Sequence, residues 1–153
     1  MLAACQAESD TATTSGQTVT EANFRRAESD TYFASFVKDG AFGKFVHSRE
    51  LADVNNQTVV RLNRDTLYST AVFDLDAGPV TVTLPDAKGR FMSMLLINED
   101  HYNPATIYEP GPHTITRDQV GTRYVTALVR TFVDPANPTD LEAVHRLQDA
   151  IKV

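Results

Sequence analysis

The sequence feature that most constrains the fold is a change in hydrophobic period beyond residue 57. Upstream of that point a helical spacing of apolar residues prevails, whereas downstream they recur at every second position. Five runs rich in β-branched residues follow this second pattern: 58–62, 69–75, 80–84, 90–97 and 123–133. In residues 80–84, valine or leucine alternates with threonine, as in a strand that buries one face. Clusters of Asp, Gly and Pro separate the runs, so the sequence predicts an antiparallel β-sandwich or barrel.

A helix is predicted ahead of these strands. Aromatic and small residues recur at helical spacing within residues 20–39, and Gly40 provides a stop signal. Residues 40–56 contain Gly, Asp and Asn at several positions and are interpreted as a connecting loop. We expect three apolar residues of that loop to reach the core: Phe42, Phe45 and Val46.

A second helix is predicted at the C-terminal end, after a Pro- and Gly-rich connection over residues 103–121 and the last strand. Thr139 and Glu142 have the spacing of a capping box, and Pro138 precedes them. Four residues at helical spacing predict an apolar face: Leu141, Val144, Leu147 and Ile151. No Gly or Asn stop signal follows before Val153, so we expect a longer parent protein.

Composition excludes several classes of protein. A chain of 153 residues with 42% hydrophobic and 22% charged residues is typical of a single globular domain. One cysteine excludes a disulfide framework, and a net charge of −6 disfavours nucleic acid as a partner. Because the sequence has no phosphate loop, dinucleotide fingerprint or CxxC motif, we expect no cofactor. His47, His113 and His145 have no His-x₃-His or His-Glu-x-x-His spacing, so we expect no metal site.

The N-terminus resembles the lipobox of bacterial lipoproteins. Leu2-Ala3-Ala4-Cys5 places small residues before the chain's one cysteine, and residues 7–20 have the composition of a flexible tether. We therefore expect a lipid on Cys5, contact with a membrane only through that lipid, and a location in the bacterial cell envelope. An apolar signal segment does not precede Leu2, so this interpretation requires a longer reading frame. The alternative is a cytosolic protein with a chance cysteine.

Seven residues between two predicted strands form the first candidate site. Asn63, Arg64, Asp65, Thr66, Tyr68 and Ser69 bring a carboxylate, a guanidinium, two hydroxyls and a phenol together. As a structural corner, the segment would use Asx turns and a buried tyrosine that donates to a backbone carbonyl. As a functional cluster, its carboxylate would act as a base or metal ligand and its phenol as a donor to substrate. The serine lacks a Gly-x-Ser-x-Gly context and a histidine placed by sequence to activate it.

Two further polar positions are candidates for binding or structure. Arg90 opens a strand directly after a turn, where a bidentate pair with a carboxylate such as Asp65 would pin the loop to the sheet. Glu99, Asp100 and His101 follow the most apolar strand and would bind a divalent cation or act as an acid and base. A solvated loop explains the same three residues, because neighbours on an extended chain point to opposite sides.

Short motifs in a fixed order carry a family resemblance. The Asn63 to Ser69 segment is followed by these motifs: Asp74-Leu75, Gly78-Pro79, Leu84-Pro85-Asp86, Gly89-Arg90-Phe91 and Arg130-Thr131-Phe132-Val133-Asp134. In that order they resemble the domain-of-unknown-function family 1254 over roughly residues 21–153. The resemblance implies an immunoglobulin-like sandwich, continued in relatives by a second β domain of the 1214 family, in proteins that many bacteria export. It implies no established activity.

Two functions remain open at this point. The first is a non-catalytic β-sandwich module over residues 21–153, behind a tether over residues 1–20, that binds a small ligand or the C-terminal domain of its own parent protein. The second is a hydrolase with a site formed around Asp65, Tyr68 and Arg90 and completed by that missing domain. The two differ in whether those polar groups are buried and satisfied or open into a pocket.

Overall fold

A computed structural model of the protein describes residues 17–56, 61 and 63–153. The tether and Cys5 therefore lie outside the described residues except for 17–20. The elements, in chain order, are α1 (Phe24–Lys38), β1 (Val46–His47), β2 (Thr66–Asp74), β3 (Val80–Leu84), β4 (Met92–Asn98), β5 (Ala105–Ile107), β6 (Gly111–Ile115), α2 (Arg117–Val120), β7 (Tyr124–Phe132) and α3 (Pro138–Asp149). The domain is mainly β, with a helix before and after the strands, as predicted.

Five antiparallel strands form the larger sheet in the order β1-β2-β7-β4-β5. The central strand β7 pairs along its whole length with β2 and over seven residues with β4. As a result, Tyr68, Arg130 and Ser93 lie side by side on three neighbouring strands. Residues far apart in sequence thus become neighbours on one face of the sheet.

The main hydrophobic core lies between this sheet and a smaller one. Strands β3 and β6 pair as a two-stranded antiparallel sheet. Its residues Val82 and Ile115 are buried in one cluster with Met94 and Val129 of the larger sheet. Because side chains alternate along a strand, the odd-numbered residues of β7 face this core. The even-numbered residues face the opposite side, which we call the outer face.

Helix α1 lies on the outer face and covers part of it. Ser29 and Phe33 are its buried residues, whereas Phe24 and Tyr32 are 57% and 48% exposed. The helix ends at Lys38, and Gly40 follows in the left-handed region at a φ of 93°. This confirms the stop signal at Gly40, a residue that adopts that conformation without a steric cost. Among the described residues, no helix combines the length and hydrophobicity that crossing a membrane requires.

Helix α3 begins two residues earlier than predicted. Asn137 is its N-cap, and the side-chain Oδ1 of Asn137 accepts a hydrogen bond from the amide of Thr139 at 3.1 Å. The prediction of Thr139 as the cap is wrong, because Pro138 fits the first helical position, where no amide partner is needed. The predicted apolar face is packed within this domain, since Val144 is buried against Leu67.

The segment 103–121, predicted as a connection, instead contains β5, β6 and α2. Its prolines obscured the strands: Pro112 lies within β6, opposite Thr83. A proline is tolerated there because β6 pairs on one side only, as the edge of a two-stranded sheet. Thr116 caps α2 and accepts a hydrogen bond from the amide of Gln119 at 3.3 Å.

The segment before β2 also differs from its prediction. Residues 40–56 include the short strand β1, and Phe42 is 52% exposed rather than buried in the core. Phe45 is half-buried and packs against the core cluster, as predicted. The strand predicted over 58–62 lies outside the described residues except for Arg61, which is part of a turn.

Candidate functional site

The outer face carries a cavity beside the predicted Asn63 to Ser69 segment. This cavity, which we call the Tyr68 cavity, has a volume of about 580 Å³. Its walls come from helix α1, the chain after β1, and strands β2 and β7. Its lining includes Tyr32, Phe36, Asn63, Thr66, Tyr68 and Leu128. The volume and the largely apolar lining are those of a small-molecule site.

A second cavity adjoins the first along helix α1. This one, the Thr126 cavity, has a volume of about 300 Å³ and is lined by Ile97, His101 and Thr126. Tyr32 and Phe36 line both cavities. We call the two together the outer groove. It runs along β7, because Thr126 and Leu128 are successive outer-face residues of that strand.

The Asn63 to Ser69 segment forms a turn that leads into β2. The Oδ1 atom of Asn63 accepts from the amide of Asp65 at 2.7 Å, and its Nδ2 atom donates to the Thr66 hydroxyl at 3.1 Å. This is the Asx turn expected for Asn63. Asp65 itself is exposed, and its carbonyl accepts from the amide of Val133 at 2.9 Å. The turn therefore directs the carboxylate of Asp65 into solvent rather than into a buried site.

Tyr68 does not form the predicted tyrosine corner. Its side chain belongs to the outer face, not to the core between the sheets, and it is half-buried. Within the described residues, its hydroxyl makes no hydrogen bond to a backbone carbonyl. Instead, the guanidinium carbon of Arg130 lies 5.9 Å from the centre of the Tyr68 ring, within the range of a cation–π contact.

Two half-buried arginines lack acceptors among the described residues. The Nε atoms of Arg64 and Arg130 are buried without a hydrogen-bond partner. Other arginines are paired with carboxylates: Arg26, Arg49, Arg90, Arg117 and Arg123. A buried donor without an acceptor costs roughly 1–3 kcal/mol. Arg130 was not among the predicted site residues, although its even position in the run 123–133 places it on the face opposite the core.

Ser69 lies on the core side of the same strand and has a histidine partner. The Nδ1 atom of His47 is 2.8 Å from the Ser69 hydroxyl, and Gln148 Nε2 donates to that hydroxyl at 3.4 Å. No histidine is placed by sequence to activate Ser69, but the pairing of β1 with β2 brings His47 opposite it in space. Burial lowers the pKa of His47. Ser69 is only 1% exposed, so a substrate has no access to its oxygen.

Arg90 forms the bidentate pair that was expected, but with a different carboxylate. Both Nη atoms bind the carboxylate of Asp140 in the first turn of α3, and one of them also donates to the Phe132 carbonyl at 2.8 Å. Asp65 is not its partner. The guanidinium of Arg90, with the amide of Asp134, holds the pKa of Asp140 at about 2. Arg90 thus links α3, through Asp140, to the last residue of β7, Phe132.

The Glu99 to His101 turn is built around buried polar groups. The carboxylate of Glu99 is 5% exposed, accepts from the Tyr124 amide at 2.9 Å and pairs with Arg26. His101 has a left-handed φ of 65°, and its Nδ1 atom is 3.1 Å from the hydroxyl of Ser29. Glu99 and His101 thus contact different groups. In the described part of the chain, no three metal-ligating side chains converge on one point.

The remaining histidines bind backbone carbonyls. His113 Nε2 lies 2.8 Å from the Glu109 carbonyl, and His145 Nε2 lies 2.7 Å from the Arg49 carbonyl. Of the predicted site residues, the structure brings Asn63, Thr66 and Tyr68 to the outer groove. His101 lines its other end, whereas Asp65, Ser69, Arg90 and Glu99 have separate surroundings.

The fold and the groove define a class: an antiparallel β domain with a ligand-sized groove beside its N-terminal helix. The chain belongs to the family described as protein of unknown function (DUF1254), whose model matches residues 42–153. The resemblance found in the sequence is thereby confirmed. No curated protein matches the chain.

A solved structure shares the fold. The crystal structure of the VPA0106 protein from Vibrio parahaemolyticus is 17% identical to this chain and superposes with a TM-score of 0.58. The match covers 84% of this chain and 34% of the Vibrio chain. The present chain thus spans about a third of the length of that structure. At this identity the likeness concerns the fold alone.

Proposed function

We propose that this domain is a non-catalytic binding module that holds a small molecule with an elongated apolar body in the outer groove. The observation that carries the proposal is the pair of adjoining cavities, about 580 and 300 Å³, that share Tyr32 and Phe36 as a wall. A ligand that lies along β7 in this groove would cover Leu128 and Ile97, which are half-buried in the free protein.

The position of α1 supports this proposal. The helix buries Ser29 and Phe33 on the sheet but leaves aromatic side chains around them partly exposed. Tyr32, at 48% exposure, stands over both cavities. A ligand beneath it would remove that apolar surface from water, at about 25 cal/mol for each Å² buried. An exposed apolar surface beside a cavity is typical of a binding site.

The alternative of a hydrolase has less support. It requires Asp65, Tyr68 and Arg90 to act at one place, but Arg90 is engaged by Asp140 and Asp65 faces solvent. The buried contact between Ser69 and His47 does not open to a cavity described here. We therefore assign no reaction to the domain.

We further propose that the module is the N-terminal part of a larger protein of the bacterial cell envelope. The Vibrio chain, of which the match covers 34%, supports a larger parent. The Leu2-Ala3-Ala4-Cys5 sequence supports a lipid anchor on Cys5. The immunoglobulin-like type of the sandwich also stays a prediction, and the two antiparallel sheets that share one core are compatible with it.

The binding proposal is tested by titrating the protein with 1-decanol, a neutral amphiphile with an extended chain, in a calorimeter. We expect Tyr32→Ala to weaken binding roughly 5- to 30-fold, because about 1–2 kcal/mol of apolar contact is lost. The matched control is Tyr108→Ala, which removes a tyrosine that is somewhat more exposed (58% against 48%) and lines neither cavity. Equal affinities of the two variants, or no binding of decanol at all, would contradict the proposal.

A further inference from the structure

We infer that the ligand of the outer groove carries a hydrogen-bond acceptor at one end, such as a carbonyl oxygen, and that the ring Nε2 atom of His101 donates to it. The inference rests on the proposed binding function and adds the chemical class of the ligand, an extended apolar molecule with an acceptor at its end. Its basis is a histidine in the wall of the Thr126 cavity, with one ring nitrogen bound to Ser29 and the other without a partner among the described residues.

The Thr126 cavity presents few polar atoms to a ligand. Its polar lining residues are Ser29, Tyr32, His101 and Thr126. Ser29 is only 1% exposed, and the hydroxyl of Thr126 is buried from solvent. Tyr32 lines both cavities and does not distinguish one end of the groove from the other. His101 is exposed, so a ligand in this cavity can reach its ring, which marks this end of the groove.

The contact with Ser29 determines which ring nitrogen of His101 carries the proton. The Nδ1 atom lies 3.1 Å from the Ser29 hydroxyl, and this is the one hydrogen bond of that hydroxyl within the described part of the chain. A buried hydroxyl needs an acceptor for its proton, and Nδ1 provides one. A neutral imidazole that accepts at Nδ1 carries its own proton at Nε2. The ring nitrogen left for a ligand is therefore a donor, and it selects an acceptor.

The turn that carries His101 is held firmly at the end of β4. Asn98 Oδ1 accepts from the amides of Asp100 and Tyr102 at 3.1 and 2.9 Å, and Asn98 Nδ2 donates to the Val120 carbonyl at 3.0 Å. His101 itself has a φ of 65°, a conformation that glycine adopts without a steric cost but that is uncommon for other residues. Residues held in such conformations cluster at functional sites, which supports a ligand contact for this side chain.

The apolar lining of the groove gives the ligand a direction. Ile97 lies opposite Thr126 on the neighbouring strand, and Leu128 is the next outer-face residue of β7. Both Ile97 and Leu128 are half-buried. A ligand with its acceptor at His101 would therefore lay its apolar chain over these two residues, with the far end in the larger Tyr68 cavity.

The test compares 2-decanone with 1-decene, which have chains of the same length but of which only the ketone has an acceptor. Trace amounts of each are equilibrated with the protein at mildly basic pH, and headspace gas chromatography measures the bound fraction. In His101→Gly, the affinity for 2-decanone should fall relative to that for 1-decene by about three- to tenfold, as the loss of one hydrogen bond implies. Because both probes lose the same apolar contacts with the ring, their affinity ratio isolates this bond. Glycine also suits the left-handed backbone at this position.

The matched control is His113→Ala. It removes a histidine that lines neither cavity and whose Nε2 atom lies 2.8 Å from the Glu109 carbonyl. The ratio of the two affinities should stay as in the wild type.

A second variant, Ser29→Ala, retains the ring of His101. Without the Ser29 hydroxyl the ring is free to change its orientation and tautomer, so the ratio should fall in the same direction but by less. In the wild-type protein, nuclear magnetic resonance correlation of the ring protons with the ring nitrogens should show the proton of neutral His101 at Nε2.

The outcomes separate the two proposals. An unchanged ratio in His101→Gly, or a neutral ring with its proton at Nδ1, would overturn the acceptor inference and leave the groove proposal standing. Absence of binding by both probes would overturn the groove proposal, and the inference with it.

Discussion

Individual side chains in this protein take partners that their sequence neighbours do not indicate. Arg90 is paired with Asp140 across fifty positions, and Glu99 with Arg26 across seventy-three. Both pairs connect a helix to the larger sheet or to its adjoining turn. The charged residues thus position helices on a β framework, and their contribution to stability depends on how far each pair is removed from water.

The Arg90–Asp140 pair predicts a specific loss of stability in acid. The pKa of Asp140 is about 2, below its ordinary 3.8. Its stabilising effect is therefore complete above about pH 4 and is lost as the pH falls through about 2. We expect Asp140→Asn to lower the free energy of unfolding at pH 7 by about 1–2 kcal/mol. The difference from the wild type should shrink towards pH 2, as measured by urea unfolding across the pH range.

The control for this prediction is Asp86→Asn. Asp86 also pairs with a cation, Lys88, but the side chains are 58% and 85% exposed. Solvent screens an exposed pair of this kind, which contributes little to stability, so this variant should unfold almost as the wild type does at pH 7. A larger effect of Asp86→Asn than of Asp140→Asn would contradict the assignment.

At the scale of elements, the sequence offers several possible start residues for one helix. Contacts in the structure decide which of them is the N-cap. Asn137, Pro138 and Thr139 are three consecutive start signals, and any of them would be consistent with the apolar pattern behind them. The structure selects Asn137, whose Oδ1 atom accepts from both the amide and the hydroxyl of Thr139.

This choice of cap predicts unequal effects of two alanine substitutions. Asn137→Ala removes the acceptor for the first turn of α3 and should lower the free energy of unfolding by about 0.5–2 kcal/mol. Thr139→Ala keeps that acceptor and its amide donor, so a smaller loss is expected. Chemical unfolding followed by circular dichroism measures both. A larger loss of stability in Thr139→Ala than in Asn137→Ala would contradict this assignment and indicate that Thr139 is the N-cap.

At the scale of the whole molecule, one core connects both sheets. Met94 and Leu96 of β4 are fully buried in the cluster that includes Val82 and Ile115 of the smaller sheet. Apart from a backbone bridge between Thr83 and Lys152, the smaller sheet relies on this core, since an isolated pair of strands is marginal in water. The smaller sheet therefore stays folded only while it packs against the larger sheet.

The shared core predicts cooperative unfolding. Met94→Ala should lower the free energy of unfolding by about 2–5 kcal/mol, through lost burial and the cavity left behind. A single transition should be seen by circular dichroism and by tyrosine fluorescence, which the absence of tryptophan makes usable. Val19→Ala, at a position that is 55% exposed, is the control and should have little effect. Two separate transitions would show that the sheets unfold independently.

Much of the fold was predictable from local pattern. The alternation of residues 80–84 gave β3, the run 90–97 gave β4, and the run 123–133 gave β7, each within three residues of its observed ends. The strands in 103–121 were missed because prolines there mimic a loop. Of the groove, Asn63, Thr66 and Tyr68 were foreseen as a cluster. The wall that Tyr32 and Phe36 form was not, because the position of α1 over the outer face depends on tertiary packing.

By itself, the sequence determined β2, β3, β4 and β7, the two long helices and the family to which the chain belongs, because periodicity and turn residues act over a few positions. Only the tertiary structure decided which faces meet: that Arg90 binds Asp140, that His47 reaches Ser69, and that Tyr68 opens onto a groove rather than into the core. Those outcomes depend on the pairing of β7 with β2 and β4. Strand pairing joins residues distant in the chain, and no local pattern specifies it.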